Sequence, residues 1–177
     1  MPAEHASAAL DGLVPSLYNQ LRARAQSRLH FAPGEHSLNT TGLVHEAYLR
    51  LANSPDQQFI DHDHFLAIAS RVMRNVLVDH ARARASQKRT AGAHRVDLDE
   101  ALVAVEVDLD TVLDLDDALK SLEEFNPRQS EIIECRYFGG LSLEETASAL
   151  NVSPTTVKRE LRLARAWLAA DLTKRSR

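Results

Sequence analysis

Apolar side chains recur along most of this chain at the three- and four-residue spacing of an amphipathic helix, seldom in alternation. From about Ala8 to His30 the positions are Leu10, Leu13, Val14, Leu17, Leu21 and Leu29, and Pro33-Gly34 then breaks the pattern. A second helix is predicted from about Thr41 to Ala52, with Leu43, Val44, Ala47, Tyr48 and Leu51 on its apolar side. Asn53-Ser54-Pro55-Asp56 ends it. A third, longer helix follows Asp63 and carries a wide stripe of Phe65, Leu66, Ile68, Ala69, Val72, Met73, Val76 and Leu77. Its polar face holds Arg71, Arg74, Asn75, Asp79 and Arg82. From about Ser86 to Asp110 the helical signal weakens, which reads as a linker with room for a little local structure.

The C-terminal part is sharply punctuated. A helix is predicted over about Leu113 to Glu124. Asn126-Pro127-Arg128-Gln129 then supplies an N-cap, a proline at the first helical position and a reciprocal glutamine at the third. The helix it opens should stop at Gly139-Gly140. Ser142-Leu143-Glu144-Glu145 is a capping box opening a short helix that ends near Leu150. Asn151-Val152-Ser153 turns the chain, and Ser153 with Pro154 opens a last helix running to about Leu172. The fold class that follows is all-α: two small helical domains and a linker.

Charge sharpens this outline. The 177 residues carry a formal net charge of −4, which evenly spread would argue against nucleic acid. Instead Arg71, Arg74, Arg82, Arg84, Lys88, Arg89 and Arg95 form one basic stretch. Lys158, Arg159, Arg162, Arg165, Lys174, Arg175 and Arg177 form a second. Between them lie Asp97, Asp99, Glu100, Glu106, Asp108, Asp110, Asp114, Asp116 and Asp117. Two basic patches flanking an acidic segment suggest two separate contacts with a polyanion. No apolar run approaches a bilayer span, the N-terminus lacks the pattern of a secretory signal, and Cys135 is the single cysteine. These features predict a cytoplasmic protein without membrane contact.

The predicted pair of short helices joined by a three-residue turn is a helix-turn-helix. Ala147, Leu150, Val152, Val157 and Leu161 can pack the two helices together. The second then projects Thr155, Thr156, Lys158, Arg159 and Arg162, the first four near the end that enters a major groove. Lys and Arg can bond guanine edges, and Thr can bond an edge or touch a thymine methyl. Arg165, Lys174 and Arg175 suit phosphate contacts.

With that motif in place, the whole chain resembles the sigma-70 family of RNA polymerase initiation factors, in its small extracytoplasmic-function (ECF) group. Residues from Leu122 to Ala166 are similar to the family domain that reads the −35 promoter element. Leu43-Val44-His45-Glu46-Ala47-Tyr48-Leu49-Arg50-Leu51 resembles the helix that docks on the polymerase clamp, and Arg71-Val72-Met73-Arg74-Asn75-Val76-Leu77-Val78-Asp79-His80 resembles the helix that engages the −10 element. The resemblance implies a clamp- and −10-binding domain over 1–87, an acidic linker over 88–112 that threads the polymerase, and a −35-binding domain over 113–177. It places Arg71, Arg74, Asn75 and Arg82 on −10 DNA and Thr155, Thr156, Lys158, Arg159, Arg162 and Arg165 on −35 DNA. It places Thr41, Leu43, Val44, Glu46 and Arg50 at the polymerase. The implied partners are core RNA polymerase and promoter DNA, with no cofactor, metal, small-molecule substrate or enzymatic activity.

One departure stands out. Family members carry acidic residues just before the docking stretch, where this chain has Asn39, Thr40, Thr41 and Gly42. Neutral residues there should weaken a charge-assisted interface. The pattern from His36 to Leu51 resembles a subgroup associated with Ser/Thr kinases. Phosphorylation of Thr41 would restore roughly −1.5 to −2 charge at pH 7, with Thr40 and Ser37 as lesser candidates; the alternative is that Thr41 is an N-cap.

Other features carry less. Asp61-His62-Asp63-His64 reads as helix capping by Asp61 or Asp63 in preference to a metal site, and Cys135 as a small core residue. Two further readings remain: a helix-turn-helix regulator binding an operator as a dimer, and an interaction protein of a kinase pathway.

Overall fold

The computed structural model describes residues 18–26, 29–30, 40–54, 59, 61–88, 105–106 and 109–175. Helix α1 covers 18–26 and is followed by a two-residue strand β1, Leu29–His30. Then come α2 (Thr40–Ala52), α3 (His62–Lys88), strand β2 (Val105–Glu106), α4 (Leu109–Phe125) and α5 (Pro127–Ile133). A π-helical turn over Glu134–Phe138 continues α5, and α6 (Leu143–Ala149) and α7 (Pro154–Arg175) complete the chain. The architecture is all-α apart from a parallel bridge pairing Leu29 with Val105 and His30 with Glu106. That bridge corrects one expectation, since His30 belongs to a strand and not to the first helix, and it gives Val105–Glu106 a little local structure within the expected linker. Helix α4 also starts at Leu109, four residues ahead of the helix expected from Leu113.

Most of the expected caps are present, each for the reason its sequence gives. The Asp61 carboxylate accepts from the His64 amide at 2.8 Å, so Asp61 caps α3. Asn126 accepts from the Gln129 amide at 3.3 Å, with Pro127 opening α5. The reciprocal bond from Gln129 is not made. Its side-chain amide donates to Glu160 Oε2 at 2.8 Å, tying α5 to α7. Ser142 and Glu145 form the complete capping box of α6, and Ser153 Oγ accepts from the Thr156 amide at 3.1 Å. At the other end of α6, Asn151 takes φ 52°, the Val152 amide donates to Ala147 O and the Asn151 amide to Ser148 O. This is a Schellman ending with asparagine in the left-handed position.

The core is built around α3. Phe65, Leu66, Ala69, Met73, Val76, Leu77, Val78 and Ala81 are all buried. On one side they meet α2, which contributes Leu43, Val44, Ala47 and Leu51. On another, α3 packs against α4, the π turn and α6, all from the C-terminal half. Leu119, Leu122, Ile132, Leu141 and Val157 supply that half's buried bulk. Each such side chain contributes about 1.5–3 kcal/mol on burial. The buried apolar residues of both halves form one continuous cluster. Helix α3 and the helix-turn-helix unit therefore lie against each other.

Candidate nucleic-acid and polymerase interface

Helix α7 arranges the first candidate surface. Val157, Leu161, Ala164, Leu168 and Leu172 recur at helical spacing and are buried, which fixes the opposite face outward. Thr155, Lys158, Arg159, Arg162 and Arg165 are exposed, and Thr156 is half-buried. The groups differ in freedom. Thr156 Oγ1 lies 2.9 Å from Ser153 Oγ, so its hydroxyl already serves the cap. Arg159 Nη2 bonds Glu160 Oε1 at 2.9 Å, and the Gln129 and Arg159 bonds together hold the Glu160 carboxyl below the usual carboxylate range. Arg165 Nε donates to the Tyr137 hydroxyl at 2.5 Å, its guanidinium 5.5 Å from that ring's centre. Arg175 is bound by Asp171 at 2.6 Å and Ser121 at 2.9 Å, which makes it a brace between α7 and α4.

The second candidate surface, on α3, is arranged differently. Among the residues expected to face −10 DNA, Arg71, Asn75 and Arg82 are exposed. Arg74 is 4 % exposed and lies between two carboxylates of the C-terminal half. Its Nη2 donates to Asp116 Oδ1 at 2.8 Å and its Nη1 to Glu134 Oε1 at 2.5 Å. Arg82 reaches Asp116 at 3.3 Å, Lys120 reaches it at 2.6 Å, and Arg71 pairs with Glu123 and with Glu134. Burial pushes the Glu134 carboxyl above the usual range while Arg74 and Arg71 pull it back down. Charges at this depth lose several kcal/mol of hydration each, so the network is held together by mutual pairing.

Backbone geometry delivers Glu134 to this place. In the π turn the Gly139 N–H donates to Glu134 O at 3.1 Å, five residues back in place of the four of an α-helix. It ends on Gly139, which lies against Ser70 of α3. A Cβ at Gly139 would stand 1.8 Å from Ser70 Oγ and 2.9 Å from Ser70 Cβ, and the Ser70 hydroxyl is already donated to Leu66 O at 2.6 Å. Only glycine permits this approach.

The third surface is α2. Leu43 and Val44, expected at the polymerase, are fully buried against α3. They position the helix, and its open face is His45, Glu46, Leu49 and Arg50. Glu46 bonds His80 Nε2 at 2.9 Å and Arg50 at 2.7 Å, and Arg50 also bonds Asp79 at 2.8 Å. The His80 bond, with Arg50 behind it, draws the Glu46 carboxyl below its ordinary range. Helix α2 begins at Thr40, so Thr41 lies within its first turn and does not cap it, and that turn contains no acid. Ser37 lies outside the described residues.

Sequence reasoning passed over Glu134 and Arg24, and read Asp116 only as part of an acidic run and Glu145 only as a capping residue. Two of them left a signal. Glu134 interrupts the apolar run Ile132-Ile133-x-Cys135, and Asp116 falls on the stripe of Val112 and Leu119. Among the described residues no helix is long and apolar enough to cross a membrane, and no cluster of ligands could hold a metal ion.

Searches among curated proteins and among solved structures each returned no match. The family model described as ECF sigma factor matches the chain over residues 4–174, from before α1 to the last turn of α7. With a helix-turn-helix at one end, a basic helix before it and a match over nearly its whole length, the chain belongs to the ECF sigma factor family, which directs RNA polymerase to promoters.

Proposed function

We propose that this sigma factor docks on core RNA polymerase through the open face of α2, reads −35 DNA with α7 and engages −10 DNA with α3. The observation that carries the reading is α7. Its buried stripe turns Thr155, Lys158, Arg159 and Arg162 outward at the end a major groove receives, and Arg165 lies one turn further along. Lys158 and Arg159 are the base-reading candidates, and Arg165 the phosphate contact. On α3, Arg71, Arg74, Asn75 and Arg82 form the −10 set. On α2, Glu46, Leu49 and Arg50 touch polymerase, while Leu43 and Val44 hold the helix in place. The domain limits are 1–87 and 113–177, with the acidic linker between them inside the polymerase.

Control by a Ser/Thr kinase is part of the proposal. The first turn of α2 lacks acid, and a phosphate on Thr41 would supply the missing charge at a helix N-terminus, where an anion is favoured. The test is reconstitution of the purified chain with bacterial core RNA polymerase, using wild type, Thr41→Glu and Thr41→Ala. Binding by wild type, strengthened by Thr41→Glu, supports docking and switch together. Equal binding by all three discards the switch and keeps docking. No binding by any of them, nor by kinase-treated wild type, moves the assignment to an operator-binding regulator.

A further inference from the structure

We propose that Gln129 and Glu160 are positioning residues for Arg159: they hold its guanidinium by one side, so that the free end of the fork reads a guanine in the −35 element. The proposal deepens the assignment of α7 to −35 DNA and rests on it.

Its origin is the capping bond that α5 leaves unmade. Asn126 accepts from the Gln129 amide, yet the Gln129 side chain does not return to the cap. That side chain belongs to a residue only 6 % exposed, and its Nε2 donates across to Glu160 Oε2 of α7 at 2.8 Å. The other carboxylate oxygen, Glu160 Oε1, accepts from Arg159 Nε at 3.2 Å and from Arg159 Nη2 at 2.9 Å. A covered glutamine thus fixes a carboxylate whose side chain is 13 % exposed, and the carboxylate fixes an arginine whose side chain is 61 % exposed.

The chemistry of the fork decides what is left over. A guanidinium carries five N–H donors in one rigid plane. The Nε hydrogen and one Nη2 hydrogen go to Glu160, and Nη1 has no partner among the described residues. Paired Nη1 and Nη2 donors match the O6 and N7 acceptors on the major-groove edge of guanine, whereas adenine offers one acceptor there beside a donor. Lys158 and Arg162 are exposed on the same helix and, among the described residues, meet no carboxylate. Arg159 is therefore prepared for one geometry, because less side-chain freedom is lost when it binds. The same carboxylate brings a negative charge toward DNA, which weakens contact with every sequence alike.

The experiment selects from random-sequence duplexes with the full chain, captured through an affinity tag with bacterial core RNA polymerase present, and sequences the bound fraction. Wild type is compared with Arg159→Ala, Glu160→Ala, Glu160→Gln and Gln129→Leu. Arg159→Ala marks the position that Arg159 reads, where wild type should enrich a G·C pair about tenfold. Glu160→Ala should cut that preference to about twofold and leave the preferences at other positions unchanged. Gln129→Leu should do the same in part. Glu160→Gln removes the charge but keeps an oxygen for Arg159 and an amide for a turned Gln129. It should therefore keep the guanine preference, tighten arbitrary duplexes severalfold and steepen their salt dependence by about one ion.

A guanine preference that survives Glu160→Ala overturns the proposal. So does its loss at every position together, because Glu160 would then only support the helix. Failure of Glu160→Gln to keep what Glu160→Ala removes overturns it too, as does a pair other than G·C at the marked position. A Gln129→Leu protein that does not fold leaves the two Glu160 variants to decide. The assignment of α7 is scored separately. A wild type that enriches no sequence removes that assignment together with the proposal, and a wild-type motif untouched by Glu160→Ala removes the proposal alone.

Discussion

Glu145 serves two partners at once: one carboxylate caps the Ser142 amide at 2.7 Å inside the helix-turn-helix and clasps Arg24 of α1 from across the fold. Formation of α6 is thereby coupled to its seating against the N-terminal half.

The coupling has a pH signature. The Arg24 hydrogen bond, with the Ser142 bonds behind it, lowers the Glu145 pKa from an ordinary 4.5 to about 2. A carboxylate whose folded pKa is depressed contributes stability above its unfolded value and loses it as pH falls toward the folded one. Wild type should therefore lose about 1–2 kcal/mol to this group between pH 4.5 and 2, after allowance for solvent screening. Thermal melts of Glu145→Gln across that range should show a correspondingly flatter pH dependence.

Ser142→Ala removes the other half of the capping box. The expected cost is about 1 kcal/mol, read as a fall of roughly 2–4 °C in Tm.

Asn151 holds φ 52° where α6 ends, a conformation glycine accepts without strain. Asn151→Gly should melt within a degree or two of wild type, whereas Asn151→Val should cost more than about 1 kcal/mol. A reversed order would mean that the asparagine side chain, and not the backbone, sets the turn.

Burial pushes the Cys135 thiol up to about 12. Iodoacetamide at pH 8 should leave the native protein unmodified for hours and label it promptly in denaturant. Rapid native labelling would show that the π turn opens on its own.

On the −35 face the two kinds of cation should separate. Lys158→Ala should weaken binding to a cognate −35 duplex by tenfold or more and relax its sequence preference. Arg165→Ala should weaken all duplexes alike and make the salt dependence shallower by about one ion. Measuring affinity against salt for both variants decides it.

The sequence was most legible where structure is local. Ser142-x-x-Glu145, Ser153-Pro154 and Asn126-Pro127 cap helices using neighbours three residues away, so spacing alone exposes them. The apolar stripes of α3 and α7 were legible for the same reason. Gln129 was misread because its alternative partner, Glu160, belongs to another helix. The burial of Arg74 was hidden for the same reason. An arginine on the polar face of a helix looks exposed until a second surface supplies two carboxylates, and nothing within a few residues of it encodes them. Leu43 and Val44 show the converse: residues expected as contacts prove to be the buried side of their helix. The β1–β2 bridge escaped because two residues carry no period.

Helix α3 ends at Lys88 and α4 begins at Leu109, so residues 89–108 tether the surfaces that meet at Arg74. A fully stretched tether of ~20 residues reaches roughly 65–70 Å. The connection therefore keeps the two surfaces within reach of each other in one molecule. The contact at Arg74 is then intramolecular. Diluting the protein should leave this contact unchanged, and a detached C-terminal unit added from outside should compete poorly with the attached one. Severing the chain within 89–108, with every contact at Arg74 left intact, would turn the same contact into a bimolecular one that fades as the protein is diluted.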